Sequence, residues 1–144
     1  MRDAKADRLD EIIASHSRRE GPLLPILHDV QAEFGCVDEA SKRQIALALN
    51  LSRAEVHGVV SFYHDFTAEP KAAPVLKLCR AESCKARGVE ALVDGAVAAA
   101  GERVKIETIY CLGLCSVGPN AMIGNAVHAR LDAPKLDELI REIA

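Results

Sequence analysis

"VKIETIYCLGLCSVGP", residues 104–119, joins an alternating stretch to two cysteines. Residues 104–110 alternate and read as a β-strand. Cys111 follows directly, and Cys115 lies in the loop beyond it, among Gly113, Gly118 and Pro119. A thiol that only fills a core belongs on a periodic apolar face, and the loop has no such period. Upstream, "VLKLC", residues 75–79, is a short apolar strand with Cys79 at its C-terminal end and Cys84 in the loop that follows. Between the two strands, Val89, Leu92, Val93, Ala96, Val97 and Ala100 step by three and four, a helix stopped by Gly101. In a β-α-β unit the strands are parallel, so their C-terminal ends share one edge of the sheet. Two loops leaving that edge bring Cys79, Cys84, Cys111 and Cys115 together.

The sequence beyond completes a domain. "AMIGNAVHARL", residues 121–131, holds two strand-like runs around Gly124-Asn125, a two-residue hairpin signal. Asp132 caps a last helix with Pro134 in its first turn, and Leu136, Leu139, Ile140 and Ile143 form its buried face. A β-α-β unit followed by β-β-α is the order of a small thioredoxin-like domain. "TAEPKAAP", residues 67–74, reads as a linker. It separates an N-terminal helical bundle region, residues 1–66, from this second domain, residues 75–144. The fold class expected is α+β, a helical region followed by a thioredoxin-like α/β domain with a small mixed sheet.

In the helical region, Leu9, Ile12, Ile13 and His16 have helix spacing, as do Leu23, Ile26, Leu27, Val30 and Phe34. Pro22 and Pro25 suit the first turn of the second helix, and Gly35 suits its end. Ser41 with Gln44, and Ser52 with Glu55, fit the capping-box pattern and predict two further helix starts. Val56, Val59, Val60 and Tyr63 form the stripe of the last helix. "KRQIALALNLSRAEVHGVVSF", residues 42–62, resembles a helix-turn-helix. Charge argues against DNA: residues 1–66 hold eight Lys or Arg against eleven Asp or Glu, a net of −3. The segment is better suited to packing on a partner subunit, with His57, His64 and Asp65 as interface residues or as capping and core residues.

The whole chain also has a net charge of −3, which disfavours nucleic acid as a partner. No apolar run approaches the roughly 18 to 20 residues of a membrane span. The charged N-terminus lacks the apolar segment of a secretory signal, so no direct membrane insertion and a cytoplasmic location are expected. Five cysteines, an odd number without an export signal, point away from a disulfide framework and toward metal binding or redox chemistry. Cys36, after Gly35 at a helix end, reads as a small buried residue.

The spacings Cys79-x4-Cys84 and Cys111-x3-Cys115 are wider than the Cys-x2-Cys knuckle common in structural zinc sites. A [2Fe-2S] cluster takes two cysteines on each iron and suits wider loops, and glycines admit close backbone N–H donors. Spacing therefore favours an iron–sulfur cluster, with a zinc-stabilised interaction module held by the same four cysteines as the alternative. A thioredoxin-type catalyst needs Cys-x-x-Cys, which is absent. A Rieske centre needs histidine ligands, and none of the five histidines lies beside a cysteine pair. Lys77, Arg80, Lys85 and Arg87 against Glu82 form a basic collar, expected to raise the cluster's potential or to serve as a solvated docking face.

Residues 79–115, "CRAESCKARG…YCLGLC", resemble the thioredoxin-like [2Fe-2S] ferredoxin family. That family includes the E subunit of NADH-quinone oxidoreductase and its relatives in NAD-linked hydrogenases and formate dehydrogenases. The resemblance extends upstream through "LLPILHDVQAEFG" and "LNLSRAEVHGVVSFYHDF", and downstream through "GPNAMIGNAVHARLDAPKLDELI", from about residue 8 to 143. By matching positions it implies Cys79, Cys84, Cys111 and Cys115 as ligands of one [2Fe-2S] cluster. "EVHGVVSFYHDF" and "LKLCRAESCKARG" look most like the gamma subunit of the cytoplasmic NAD-dependent molybdenum formate dehydrogenase. The complex I subunit more often has Tyr at the position of His57, and smaller residues at those of Arg80 and Glu82. The stretch "AAAGERVKIE" is shorter than in many relatives and lies away from the cysteines. The resemblance implies a non-catalytic electron-transfer subunit. It would dock on a partner that binds FMN and NAD, and through it on a molybdenum- and iron–sulfur-containing formate dehydrogenase subunit. Complex I and a hydrogenase diaphorase are the alternative parents.

Overall fold

Caps and apolar stripes lay out the first half of the chain as four helices: α1 (Ala4–His16), α2 (Leu23–Phe34), α3 (Glu39–Leu49) and α4 (Arg53–Phe62). The computed structural model describes residues 3–144 and divides into two compact units between Lys71 and Ala72, inside the stretch read as a linker. In the first unit most of the stripes meet; Tyr63, expected in the stripe of α4, instead follows the helix end and is exposed. Leu9, Ile12, Ile26, Leu27, Val30, Ile45, Val56 and Val60 are buried in one core, with Val37 and Phe66. Gly35 ends α2 at φ 73°, a left-handed conformation that costs glycine little. Gln31 then fastens the returning chain: its Nε2 donates to the Gly35 carbonyl at 2.8 Å, and its Oε1 accepts from the Thr67 N–H at 3.0 Å. Cys36 is buried, as its sequence setting indicates.

The Ser52–Glu55 capping box is present in both directions. The start expected at Ser41 is corrected: α3 begins at Glu39, and its cap is Asp38. The Asp38 carboxylate accepts from the Ser41 N–H at 2.8 Å and pairs with Lys5 Nζ at 2.6 Å. An acid at this position satisfies an orphan N–H and faces the positive end of the helix dipole, so it displaces a serine one turn later. Gln44 is taken up elsewhere, donating to the Ala6 carbonyl and to Asp10.

The second unit holds β1 (Val75–Cys79), α5 (Glu82–Ala86), α6 (Glu90–Ala100), β2 (Lys105–Ile109), β3 (Ala121–Ile123), β4 (Ala126–His128) and α7 (Ala133–Ile143). The strands form one mixed sheet in the order β2-β1-β3-β4. β1 and β2 pair in parallel from Val75↔Lys105 to Cys79↔Ile109, and β3 runs antiparallel to both β1 and β4. The β3–β4 turn is Gly124-Asn125, with Gly124 at φ 56°. Asp132 caps α7 through the Lys135 N–H, and Leu136 and Ile140 face inward. Leu76 and Leu78 of β1 share their core with Val89, Ala96, Ala100, Val104 and Ala121. This is the α+β arrangement expected.

Because Lys5 and the cap hold Asp38 ionised, its carboxyl lies at about 2, below the usual carboxylate range. A depressed folded pKa gives stability that is present above the unfolded value and is lost as pH falls toward 2. The carboxylate is partly exposed, so screening limits the contribution to about 1 kcal/mol. Asp38→Ala is expected to lose about that much at pH 7 in urea unfolding, with the gap closing between pH 5 and pH 2. Ser41→Ala is expected to cost nothing or to stabilise, because the Ser41 hydroxyl is buried without a partner.

Candidate metal centre

The β1–β2 register carries the site. Cys79 ends β1 opposite Ile109, and the Arg80 N–H donates to the Ile109 carbonyl at 2.9 Å, one step beyond the paired strands. Cys111 comes two residues after β2 and is left-handed at φ 72°, a conformation rare outside glycine. That turn aims its N–H at Cys79 Sγ, 3.3 Å away. Cys115 opens a 3-10 turn, Cys115–Val117, and its carbonyl accepts from Ser83 Oγ at 3.2 Å. Ser83 is in α5, so one hydroxyl ties the two cysteine loops together. The four sequence-identified cysteines therefore converge on one sheet edge.

Two features differ from the sequence reading. Cys84 lies within the short helix α5 and not in an open loop. Glu82 and Lys85 sit one turn apart there, 3.6 Å between charges, and Gly88 at φ 93° ends the run. Asn120 is the second, a site residue that the sequence pattern does not mark. It is 1% exposed, and its Nδ2 donates to the Leu114 carbonyl at 2.7 Å and to Cys84 Sγ at 3.7 Å. Its only trace in the sequence is a polar residue between Pro119 and the apolar run that starts β3.

The sulfurs come in two pairs of opposite exposure. Cys79 and Cys84 are buried and hydrogen-bond to each other; Cys111 and Cys115 are exposed, with their sulfurs 3.8 Å apart. Two sulfurs on one tetrahedral ion, with bonds of about 2.3 Å, lie about 3.8 Å apart. Among the described residues, no three His, Cys, Asp or Glu side chains converge closely enough to hold one metal ion. Four thiols in two pairs at one edge are a donor set that could give two sulfurs to each of two metal ions. Backbone donors stand ready for sulfur charge: besides Cys111, the Gly113 N–H points at Cys111 Sγ at 3.4 Å. Gly118 is a close approach, since a Cβ there would stand 3.1 Å from Cys84 Sγ, tighter than ordinary contact.

Burial pushes the Cys79 thiol up, but N–H donors from Ala81, Cys111 and Leu112 and the Cys84 thiol outweigh it and bring it down. Burial raises Cys84, and its bond to Cys79 adds to this. Cys115 is raised by its contact with Cys111. The collar is less basic than its sequence implies. Arg80 makes a two-point pair with Glu90, at 2.9 and 2.6 Å, and Lys85 lies beside Glu82. His57 is engaged in the first unit, with Lys42 Nζ 3.3 Å from its Nδ1.

A small mixed sheet packed with helices, with paired thiols at the C-terminal ends of two parallel strands, is the arrangement of a thioredoxin-like domain. Residues 9–144 match the thioredoxin-like [2Fe-2S] ferredoxin family, and the chain belongs to it. Its relatives include the NADP-reducing hydrogenase subunit HndA of Solidesulfovibrio fructosivorans, 29% identical, covering 92% of this chain and 82% of that one. The NADH-quinone oxidoreductase subunit 2 of Thermus thermophilus is 30% identical, covering 91% and 82%. An air-oxidised NAD+-reducing [NiFe]-hydrogenase structure aligns with a TM-score of 0.71 at 28% identity. That alignment covers 84% of this chain but 22% of the hydrogenase chain, so this chain matches only a part of that protein.

Exposure predicts an order of reactivity. In the folded, metal-free chain, iodoacetamide should modify Cys111 and Cys115 well before Cys79, Cys84 and Cys36, as read by peptide mass spectrometry. Equal rates at all five would contradict the buried and exposed pairing.

Proposed function

We propose that this chain is an electron carrier that holds one [2Fe-2S] cluster on Cys79, Cys84, Cys111 and Cys115 and serves an NAD-linked oxidoreductase. The observation that carries this is the grouping of the sulfurs into two pairs at one sheet edge, in a chain of the [2Fe-2S] family. When bound, such a cluster supplies a one-electron acceptor and donor between a two-electron flavin and other centres. The protein's own part is to shield and to stabilise. Cys79 and Cys84 lie away from water, while Cys111 and Cys115 lie at the surface, where a partner's redox group can approach. The N–H groups of Cys111 and Gly113 are placed to offset negative charge on sulfur.

The partner in this reading is an FMN- and NAD-binding subunit. The relatives named above are subunits of a hydrogenase and of NADH-quinone oxidoreductase, and they speak for those parents; neither is a formate dehydrogenase subunit. The formate dehydrogenase branch rests on "EVHGVVSFYHDF" and "LKLCRAESCKARG", and with it a cytoplasmic location and a molybdenum-bearing subunit beyond the flavin partner. No helix among the described residues is long and apolar enough to cross a membrane.

The chain should purify coloured, with about two irons and two sulfides per chain and a [2Fe-2S] electron paramagnetic resonance signal on reduction. Cys111→Ser should lose most of that cluster. A colourless, zinc-loaded chain, or full occupancy in Cys111→Ser, would overturn the assignment. Formate-dependent NAD reduction by the complex co-purified from the native host would select the formate dehydrogenase parent. Hydrogen-dependent reduction, or NADH oxidation alone, would select one of the others.

A crowding test follows from Gly118. Gly118→Ala is expected to lower iron content per chain, because its Cβ presses on Cys84 Sγ and on the Arg87 side chain at 3.2 Å. Unchanged iron content would show that Cys84 has room to shift.

A further inference from the structure

Asn120 occupies an unusual position for a polar side chain. It is 1% exposed, its Oδ1 is buried without a partner, and its Nδ2 is spent on Leu114 and Cys84. An amide held this way carries a desolvation cost that an apolar side chain would avoid. Its contacts are spread across the site. The Leu114 carbonyl belongs to the segment between Cys111 and Cys115, and the Cys84 sulfur belongs to α5. The Asn120 backbone carbonyl accepts from the Cys79 N–H at 2.9 Å. One residue thus touches the end of β1, the short helix and the exposed loop.

We infer that Asn120 is a positioning residue for the sulfur site. It clamps the Cys111–Cys115 loop against Cys84, and its amide N–H favours the more negative, reduced state of the bound group. The inference rests on the cluster assignment made above. The direction follows from the donor's sign. A reduced cluster places more negative charge on its sulfurs, so an N–H donor binds it more strongly than the oxidised form, and burial strengthens that difference. The neighbouring Cys111 and Gly113 donors act on Cys79 and Cys111, whereas the Asn120 side chain acts on Cys84.

The test uses the full chain with its cluster, in Asn120→Ala and in Asn120→Leu, which keeps much of the volume and removes the donor. Midpoint potentials are read by resonance-monitored redox titration, with iron content measured alongside. Both variants should be harder to reduce, with a roughly three- to tenfold smaller reduction constant, tenfold being 59 mV for a one-electron couple. An unmoved midpoint in a variant that keeps its cluster overturns the inference and leaves the cluster assignment standing. Loss of the cluster from both variants while thermal unfolding stays cooperative also overturns the tuning role, leaving Asn120 as scaffold. A wild-type chain without a [2Fe-2S] signal overturns the cluster assignment, and this inference with it.

Discussion

The parallel pairing of β1 with β2 is the constraint on which the site depends. Leu76 and Leu78 are buried and alternate with Lys77 along β1. Burying each leucine contributes about 1.5–3 kcal/mol, and a one-residue slip would turn both toward the other face. The apolar pattern therefore fixes the register, and the register fixes Cys79 opposite Ile109. Cys111 stands two residues past that point, so the separation of the two thiol loops is inherited from ordinary core packing. The sulfur chemistry needs no further long-range device to bring its halves together.

What the register leaves open is the direction of each thiol, and that is set by local backbone. Cys111 takes a left-handed conformation at a cost of about 1–2 kcal/mol, and in return its N–H reaches Cys79 Sγ. Ser83 holds the Cys115 carbonyl, and Gly118 lets the chain pass close to Cys84. The result has two unlike faces. One pair of sulfurs is kept from water by the core of the second unit, and the other stands at the surface. A carrier needs both: a dry side that holds the group, and an open side close enough to a partner for an electron to cross.

These layers are unequally legible in the sequence. The strands around Cys79 and Cys111 are visible because apolar runs, Gly101 and the Gly124-Asn125 turn mark their limits. The convergence of four thiols follows from the handedness and direction of a β-α-β unit. The helix around Cys84 is not visible, because five residues are too few for an apolar period. The serine pattern at Ser41 misplaces the cap of α3, hiding a better cap three residues earlier, one whose partner, Lys5, is 33 residues away in sequence. Asn120 is hidden for the same reason: its role depends on Leu114 and Cys84, contacts made only once the sheet is assembled.

The same contrast decides what governs the electrostatics of the site. Along the chain, the run from Lys77 to Arg87 is a collar of four cations. Folded, Arg80 is held by Glu90 from the next helix and Lys85 sits beside Glu82. A hydrogen bond to a charged acceptor contributes about 1.5–3 kcal/mol. The donors of Cys111, Gly113 and Asn120 lie within 3.3–3.7 Å of cysteine sulfur. These oriented N–H groups are products of the fold: a left-handed cysteine, a glycine turn and one buried amide. Of the collar, Arg87 stays beside the site: a Cβ at Gly118 would stand 3.1 Å from Cys84 Sγ and 3.2 Å from the Arg87 Cδ.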